Sequence, residues 1–257
     1  MKEGIRKDGD FCWINMLTPQ PAKAREFYAE LLGWTFFPMG DIGYGIRVGG
    51  HDVGGMFDVE APNTPPGTRA HIGVMVKVAN ADATAEKVKS LGGKAQPAFD
   101  IFDAGRMAVC NDPNGANFDP WQPKSLKGFD VNTNVHGAPS WFETLTTDVP
   151  RAKKFYMDLF GWQAESMPMP QGEYITFKLG DDYVAGMMGI TPEMGEMRPH
   201  WGTYFTVDKV DETEKLARKL GAEICMPLMD VPGVGRMCGI MSPQGVMFYA
   251  ITYASMA

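Results

Sequence analysis

The second half of the 257-residue chain repeats the first. The segment from Trp13 to Tyr28 reappears from Trp141 to Tyr156, 128 positions further along, with similar residues in between. Further matches at nearly the same offset are Gly33-Trp34 with Gly161-Trp162, His71 with His200, Leu91-Gly92 with Leu220-Gly221, Gly105-Arg106-Met107 with Gly235-Arg236-Met237, and Phe118 with Phe248. Matches at a nearly constant offset indicate an internal duplication. The chain is therefore predicted to contain two copies of one domain.

The boundary between the copies is predicted from a change in pattern. Residues 123–137 are polar, lack a regular apolar period and contain turn-forming residues, which is typical of a linker. We therefore assign residues 1–122 to the first copy, 123–137 to the linker and 138–257 to the second copy.

Each copy is predicted to contain two helices. Ala24, Phe27, Tyr28 and Leu31 have the spacing of one helical face, and the second copy repeats this pattern within 152–159. A second helix is predicted over 82–91 and again over 211–220, and each ends at a glycine. In the first copy, strands are predicted over 11–18, near 34–38, 43–48 and 52–59, over 71–78, and near 94–99, 106–111 and 116–121. Each copy thus reads as two βαβββ units.

Composition and charge exclude some classes of partner. The chain has 24 lysines and arginines against 31 aspartates and glutamates, which gives a net charge of −7 and no basic block. Nucleic-acid binding needs concentrated positive charge, so no nucleic-acid partner is expected. No apolar run approaches a membrane span, and the first residues are charged where a signal peptide is apolar. We expect no membrane partner and a cytoplasmic location.

Three short motifs connect the chain to a known family. They are Ala24-Arg-Glu-Phe-Tyr-Ala-Glu-Leu-Leu-Gly-Trp34, Ala152-Lys-Lys-Phe-Tyr-Met-Asp-Leu-Phe-Gly-Trp162 and Asp112-Pro-Asn-Gly115. With these motifs the chain resembles the vicinal oxygen chelate superfamily, which includes glyoxalase I, bleomycin-resistance proteins and extradiol dioxygenases, and among them the tandem two-copy glyoxalase-like proteins. The resemblance implies an α+β fold in which four βαβββ units form two tandem glyoxalase-like domains, with curved, half-barrel mixed sheets and helices outside.

The resemblance also implies where a metal would be bound, because metal-dependent members of the family place ligands on particular strands. The corresponding positions are Trp13, Gly73, Asp119 and Gly55-Met56 in the first copy, and Trp141, Gly202, Tyr249 and Gly186-Met187 in the second. A divalent metal needs several converging nitrogen, oxygen or sulfur ligands, which these residues do not supply. We therefore expect no bound metal and no cofactor.

Strand alternation brings other polar residues to the same faces. Glu143 shares the face of Trp141, and His200 shares the face of Gly202, next to Tyr249. A histidine beside a carboxylate can act as a general base near neutral pH, so Glu143 and His200 are candidate catalytic residues. The alternative is that both satisfy hydrogen bonds at the rim of the cavity.

The remaining candidates are ligand-binding residues. A large aromatic wall is a common anchor for a flat ligand, although a tryptophan on a buried strand is often only part of the core. The predicted ligand-binding residues are Trp13, Asn15, His71, Asp119, Trp141 and Tyr249.

Three functions remain open from the sequence. The first is a protein that binds a small organic or aromatic metabolite in a metal-free cavity. The second is a metal-independent isomerase, lyase or hydrolase that uses the His200 and Glu143 pair. The third is a metal-dependent lyase or dioxygenase with displaced ligands, for instance His71 with Asp119. The small molecule is the expected partner, and the chain is expected to be a monomer or a homodimer.

Overall fold

The computed structural model describes residues 2–62, 64, 67–169 and 172–254. The first copy forms β1 (Phe11–Thr18), α1 (Pro21–Leu32), β2 (Thr35–Pro38), β3 (Tyr44–Val48), β4 (His51–Asp58), β5 (His71–Lys77), α2 (Ala81–Ser90), β6 (Lys94–Ala95), β7 (Phe99–Ile101), β8 (Gly105–Met107), β9 (Cys110–Asn111) and β10 (Asn117–Pro123). The second copy forms β11 (Pro139–Thr146), α3 (Val149–Phe160), β12 (Gln163–Met169), β13 (Gly172–Leu179), β14 (Asp182–Gly189), β15 (His200–Thr206), α4 (Val210–Lys219), β16 (Glu223–Val231), β17 (Gly235–Met241) and β18 (Met247–Tyr253).

The strands form one mixed sheet per copy, as the sequence predicts. The first sheet has the order β2-β3-β4-β1-β5-β10-β8-β7, and the second has the order β12-β13-β14-β11-β15-β18-β17-β16. In the first sheet β1 lies parallel to β4 and antiparallel to β5, and β5 lies parallel to β10. Both sheets curl into half-barrels with the helices outside, which confirms the predicted α+β fold of two tandem domains.

The two copies differ in their last strands. The predicted strand near 94–99 is split in the first copy into β6 and β7, whereas the second copy has the continuous strand β16. Pro97 lies at the break, and proline has no N–H for a ladder hydrogen bond. In β16 the pairing shifts register around Pro227 instead, so the strand continues past it.

Helix α3 begins with a capping side chain, and both α1 and α3 end at a glycine. The Asp148 carboxylate accepts a hydrogen bond from the Arg151 N–H and caps the start of α3. Gly33 and Gly161 follow α1 and α3 with φ of 65° and 71°, a left-handed conformation that glycine adopts without strain. Among the described residues, no helix is both long and apolar enough to cross a membrane.

The tryptophan of each Gly-Trp motif joins its own copy to the other one. Trp34 of the first copy donates a hydrogen bond from Nε1 to the carbonyl oxygen of Gly137, just before β11, at 2.8 Å. Trp162 of the second copy donates in the same way to Gly9, just before β1, also at 2.8 Å. Both indoles are buried, so each crossing bond is made away from water.

A second crossing connection uses the Phe-Tyr motif. The hydroxyl of Tyr156 donates to Asp112 Oδ2 at 3.0 Å and accepts from Trp201 Nε1 at 2.9 Å. The other oxygen of Asp112 accepts three backbone N–H groups of its own turn. The side chains of Asp112, Tyr156 and Trp201 are all buried.

The two sheets share one apolar core on their convex sides. The rings of Phe11 on β1 and Phe142 on β11 stack with centroids 4.2 Å apart. Tyr28 and Tyr156, from the first helix of each copy, belong to the same core. Because the convex sides and helices face each other, the two concave faces point away from the interface.

Replacing Tyr156 with phenylalanine should therefore destabilise the whole chain. Tyr156→Phe keeps the ring but leaves a buried Asp112 oxygen without its donor and Trp201 Nε1 without its acceptor. We expect the free energy of unfolding, measured by urea denaturation, to fall by about 1–3 kcal/mol. The control Tyr183→Phe removes a hydroxyl from a side chain that is 50% exposed and should change stability by less than about 0.5 kcal/mol. Equal effects of the two variants would contradict the role of Tyr156.

Candidate functional site

The concave face of the first copy has few side chains in its central row. On β1, Ile14 and Met16 belong to the shared core, so Trp13 and Asn15 lie on the opposite, concave side. Asn15 is in register with Gly55 on β4 and with Gly73 on β5. The ring of Phe57 lies over Gly55, where a methyl group would come within 2.6 Å of it, so only the Gly73 end of this row has room for an added group.

The space above Gly73 has room for a methyl group. The atoms nearest to a methyl group placed there would be the backbone oxygen of Asn15 at 3.5 Å, His71 Nε2 at 3.7 Å and Asn15 Cβ at 3.9 Å. These are ordinary van der Waals distances. We call the space over Gly73, with Asn15 and His71 beside it and Asp119 further along on β10, the first-copy site.

Asp119 is the buried acid of the first-copy site. It lies opposite Met75, the concave-face residue two positions beyond Gly73 on β5. Its side chain is only 7% exposed, and its Oδ1 has no hydrogen-bond partner among the described residues. Burial raises the pKa of Asp119 to about 7, and the backbone N–H of Cys110 offsets part of that rise. Asp119 is thus a carboxyl group that changes charge near neutral pH.

His71 presents a free nitrogen to the same space. Its Nδ1 lies 2.8 Å from the carbonyl oxygen of Arg69. A carbonyl oxygen can only accept, so Nδ1 carries the proton and Nε2 of the neutral ring keeps its lone pair. Within the described part of the chain, Nε2 has no hydrogen-bond partner.

An apolar wall closes one end of the first-copy site. Trp13, Met75, Met107 and Trp121 form a buried cluster on the concave side. The indole of Trp121 is held by a hydrogen bond from Nε1 to the carbonyl oxygen of Leu126 at 3.1 Å. Sequence reasoning missed Trp121, although its position two residues after Asp119 on one strand could have identified it.

In the second copy the equivalent space is filled. A methyl group on Gly202 would lie 2.7 Å from a ring carbon of Tyr249, and one on Gly186 would collide with the hydroxyl of Tyr174. The rings of Tyr204 and Tyr249 stack with centroids 4.4 Å apart. Trp141 donates from Nε1 to the Tyr174 hydroxyl at 3.1 Å. Trp141 and Tyr249, two predicted ligand-binding residues, thus pack with the copy's own tyrosines.

The expected pairing of Glu143 with His200 is wrong. Glu143 accepts from the hydroxyls of Tyr174 at 2.7 Å and Tyr204 at 3.0 Å, one on each carboxylate oxygen. His200 instead places Nδ1 2.8 Å from the carbonyl oxygen of Arg198. The reason is the register of β11 and β15. Glu143 lies opposite Gly202, whereas His200 lies opposite Leu145, two residues further along β11.

Burial controls the protonation of both residues. It raises the pKa of Glu143, against the two phenol hydrogen bonds that stabilise the charged form. Burial also lowers the pKa of His200, which the hydrogen bond to Arg198 opposes. Sequence reasoning missed Tyr174 and Tyr204. Tyr204 shares the face of Gly202 two residues away, but Tyr174 comes from β13, which no local pattern places beside Glu143.

The residues at the family's metal-ligand positions do not fit a metal. In the first copy these positions hold an indole, two glycines and one carboxylate, and the side chain of Met56 belongs to the shared core instead of the concave face. Among the described residues, no three His, Cys, Asp or Glu side chains are grouped as metal ligands. His71 and Asp119, the displaced set considered from the sequence, supply two donors, fewer than a stable site needs.

Comparison with known proteins gives the same family for both halves. The Glyoxalase-like domain family matches residues 13–119. The Glyoxalase/Bleomycin resistance protein/Dioxygenase superfamily matches residues 139–249. One similar structure is the Mn(II)-bound glyoxalase from Novosphingobium aromaticivorans, which is 13% identical, with 97% of this chain and 83% of that one covered and a TM-score of 0.66. Another is 2,2',3-trihydroxybiphenyl 1,2-dioxygenase from Sphingomonas wittichii, which is 12% identical, with 96% of this chain and 91% of that one covered and a TM-score of 0.67. At this identity the likeness concerns the fold alone.

Two relatives in sequence extend over nearly the whole chain. One is the Mycobacterium tuberculosis protein named "Putative glyoxylase CFP32", which is 33% identical over 253 residues and 96% of both chains. The other is the Streptomyces peucetius protein named "Anthracycline biosynthesis protein DnrV", which is 30% identical over 256 residues, 93% of this chain and 91% of that one. The similarity thus extends over both copies of this chain.

The raised pKa of Asp119 predicts a pH-dependent cost of folding. The folded protein holds this proton up to about pH 7, whereas an unfolded aspartate loses it near its usual value of 3.8. Stability should therefore fall as the pH rises from about 4 through 7. Asp119→Asn removes this loss, so at pH 8 it should be more stable than the natural chain by on the order of 2–4 kcal/mol, and similar to it at pH 4.5.

Urea denaturation at several pH values between 4.5 and 8 measures this effect. Asp103→Asn, at an exposed position, is the control and should follow the pH profile of the natural chain. Parallel profiles for Asp119→Asn and the natural chain would show that Asp119 ionises normally in the folded protein.

Proposed function

The chain belongs to the glyoxalase/bleomycin resistance/dioxygenase superfamily, and from that premise we propose that its first copy binds a small, flat organic molecule without a metal. The ligand lies in the first-copy site, over Gly73. The observation that carries this proposal is the difference between the copies: a methyl group would fit over Gly73, whereas the ring of Tyr249 fills the same position over Gly202.

The shape of the first-copy site favours a flat ligand. Next to the short side chain of Asn15, Gly73 presents backbone on which a ring can lie, and the ring of Phe57 over Gly55 borders the other end of this row. The Trp13 cluster supplies an apolar wall at one end. Small-molecule sites are mostly apolar with a few polar groups that orient the ligand, and Asn15, His71 and Asp119 have that role here.

The polar groups favour a ligand that carries oxygen. A buried carboxyl oxygen without a partner costs free energy, which a hydrogen-bonded ligand recovers. A protonated Asp119 can donate to a carbonyl or phenol oxygen, and His71 Nε2 can accept from a hydroxyl group. The names of these relatives, "Putative glyoxylase CFP32" and "Anthracycline biosynthesis protein DnrV", support a carbonyl compound with aromatic rings.

The second copy has a structural role in this proposal. Its concave face is occupied by the hydrogen-bonded group of Glu143, Tyr174 and Tyr204. Each oxygen of Glu143 accepts a hydrogen bond from a tyrosine of the same copy, so the buried carboxylate has hydrogen-bond partners without a ligand. The chemistry is assigned to the first copy.

Filling the space over Gly73 should abolish ligand binding. The probe is 1,4-dihydroxyanthraquinone, a flat aromatic with both carbonyl and hydroxyl groups, and the readout is saturable quenching of tryptophan fluorescence. We expect Gly73→Ala to weaken binding at least tenfold, because the new methyl group occupies the floor on which the ring lies. The fold should tolerate it, since its nearest contacts are at 3.5 Å or more.

Gly189→Ala is the matched control. It is the same substitution in a strand of the second copy, where the new methyl group would meet only Val149 at 3.5 Å. This variant should bind the probe as the natural chain does. The proposal fails if the natural chain shows no saturable quenching, or if Gly73→Ala and Gly189→Ala bind the probe equally well.

A further inference from the structure

Glycines recur along one row of the concave face of the first copy. Gly45 on β3 lies opposite Gly55 on β4, and the row continues through Asn15 on β1 to Gly73 on β5. Residues paired in this way point their side chains to the same face of a sheet. Neighbouring strands lie about 4.8 Å apart, so Gly55 and Gly73, on either side of Asn15, are separated by about 10 Å.

The ring of Phe57 covers the Gly55 end of this row. Phe57 follows Gly55 by two residues on β4 and therefore belongs to the same face. A methyl group on Gly55 would lie 2.6 Å from both Cε2 and Cζ of the ring. The next-nearest atom is Asn15 Oδ1 at 3.5 Å, an ordinary van der Waals distance. The outer edge of one ring is thus what closes this end of the row.

We propose that Phe57 limits the size of the ligand that the first-copy site accepts. This inference rests on the proposed function, because it needs a flat ligand over Gly73. The Phe57 ring keeps such a ligand on the Gly73 side of Asn15, so a ring system long enough to reach Gly55 does not lie flat along the row. The favoured ligand class is a compact aromatic carbonyl compound of at most two fused rings.

Removing the ring opens the row and leaves its floor in place. Phe57→Ala and Phe57→Leu both eliminate the Cε2 and Cζ atoms that stand over Gly55. The nearest remaining contact of a Gly55 methyl group would be at 3.5 Å, the same distance as the nearest contact over Gly73. Gly55, Asn15 and Gly73 would then form one continuous floor across β4, β1 and β5.

A second phenylalanine covers the next glycine of the row in the same way. Phe37 on β2 lies opposite Gly45, and its ring stands where a Gly45 methyl group would be. The Cζ atom of Arg47 lies 4.5 Å from the centroid of this ring. Because Phe57 stands between Phe37 and Gly73, removing the Phe37 ring leaves the Gly73 end of the row unchanged.

Two ligands that differ by one fused ring test the size limit. The probes are 5-hydroxychromone, which has two fused rings, and 1-hydroxyxanthone, which has the same carbonyl and hydroxyl groups and one ring more. Saturable quenching of tryptophan fluorescence measures the Kd of each. With the natural chain we expect 1-hydroxyxanthone to bind no more tightly than 5-hydroxychromone, because its additional ring meets Phe57.

Phe57→Ala should restore the affinity that the additional ring can provide. Its four carbons, once in contact with the floor, are worth about five- to tenfold in affinity. We therefore expect this variant to bind 1-hydroxyxanthone about five- to tenfold more tightly than 5-hydroxychromone, whose own Kd stays close to that of the natural chain. Phe57→Leu removes the same two atoms with a smaller loss of apolar volume, and it serves for the measurement where the alanine variant does not fold.

Phe37→Ala is the matched control. It removes a ring that also covers a glycine of the row, one strand further from Gly73. This variant should keep the ratio of the two Kd values that the natural chain shows. Thermal melting confirms that each variant is folded, and a general loosening of the sheet would change the Phe37 and Phe57 variants alike.

The outcomes separate the two proposals. The size limit is overturned, and the binding proposal stands, if the natural chain already binds 1-hydroxyxanthone more tightly than 5-hydroxychromone, or if the folded Phe57 variants keep the natural ratio. Weaker binding of both probes by Phe57→Ala would show that the ring contacts the ligand instead of excluding it, which also overturns the size limit. Absence of saturable quenching of the natural chain by either probe overturns both proposals.

Discussion

The exchange of hydrogen bonds between the two copies determines the rest of the architecture. Each copy sends a buried indole, Trp34 or Trp162, to a carbonyl oxygen just before the first strand of the other copy. Tyr156 adds a buried link to Asp112. Unpaired groups in this interior would cost about 1–3 kcal/mol each, so the convex sides stay joined and the concave faces turn outward. The motifs that identify the family are thus the residues that hold the duplication together.

The two copies share one backbone fold, but their outward concave faces carry different side chains. In register, Asn15 corresponds to Glu143 and Gly73 to Gly202. The difference arises around them: the first copy has an acid at 119, whereas the second has a ring at 249 and recruits Tyr174 and Tyr204. Three phenol side chains pack over the second copy's Gly202 and Gly186, whereas in the first copy a methyl group fits over Gly73 and, among the described residues, one oxygen of Asp119 has no hydrogen-bond partner. Divergence after duplication has thus given the two concave faces different side chains.

Much of this structure could be predicted from the sequence because the signals are local or repeated. Helical spacing located α1 and α3, strand alternation placed Asn15 on the face of Trp13, and the family resemblance identified Asp119. The closing of the second copy could not be predicted in this way. Tyr174 reaches Glu143 from a strand separated from it by β14, and a side-chain contact over that distance has no signature in a single sequence. The same lack of a local signal explains the incorrect pairing of Glu143 with His200. Strand alternation places both residues on the concave face, but Glu143 accepts its hydrogen bonds from Tyr174 and Tyr204.

The most direct test of this account is a crystal structure of the protein purified without chelators or added ligands, with attention to the electron density over Gly73 and Gly202. The expected result is density for a flat organic molecule over Gly73, within hydrogen-bond distance of Asp119, and only the side chains of Tyr174, Tyr204 and Tyr249 in the second half-barrel. A metal ion bound to Asp119 and His71, or a ligand that displaces the tyrosines around Glu143, would contradict it.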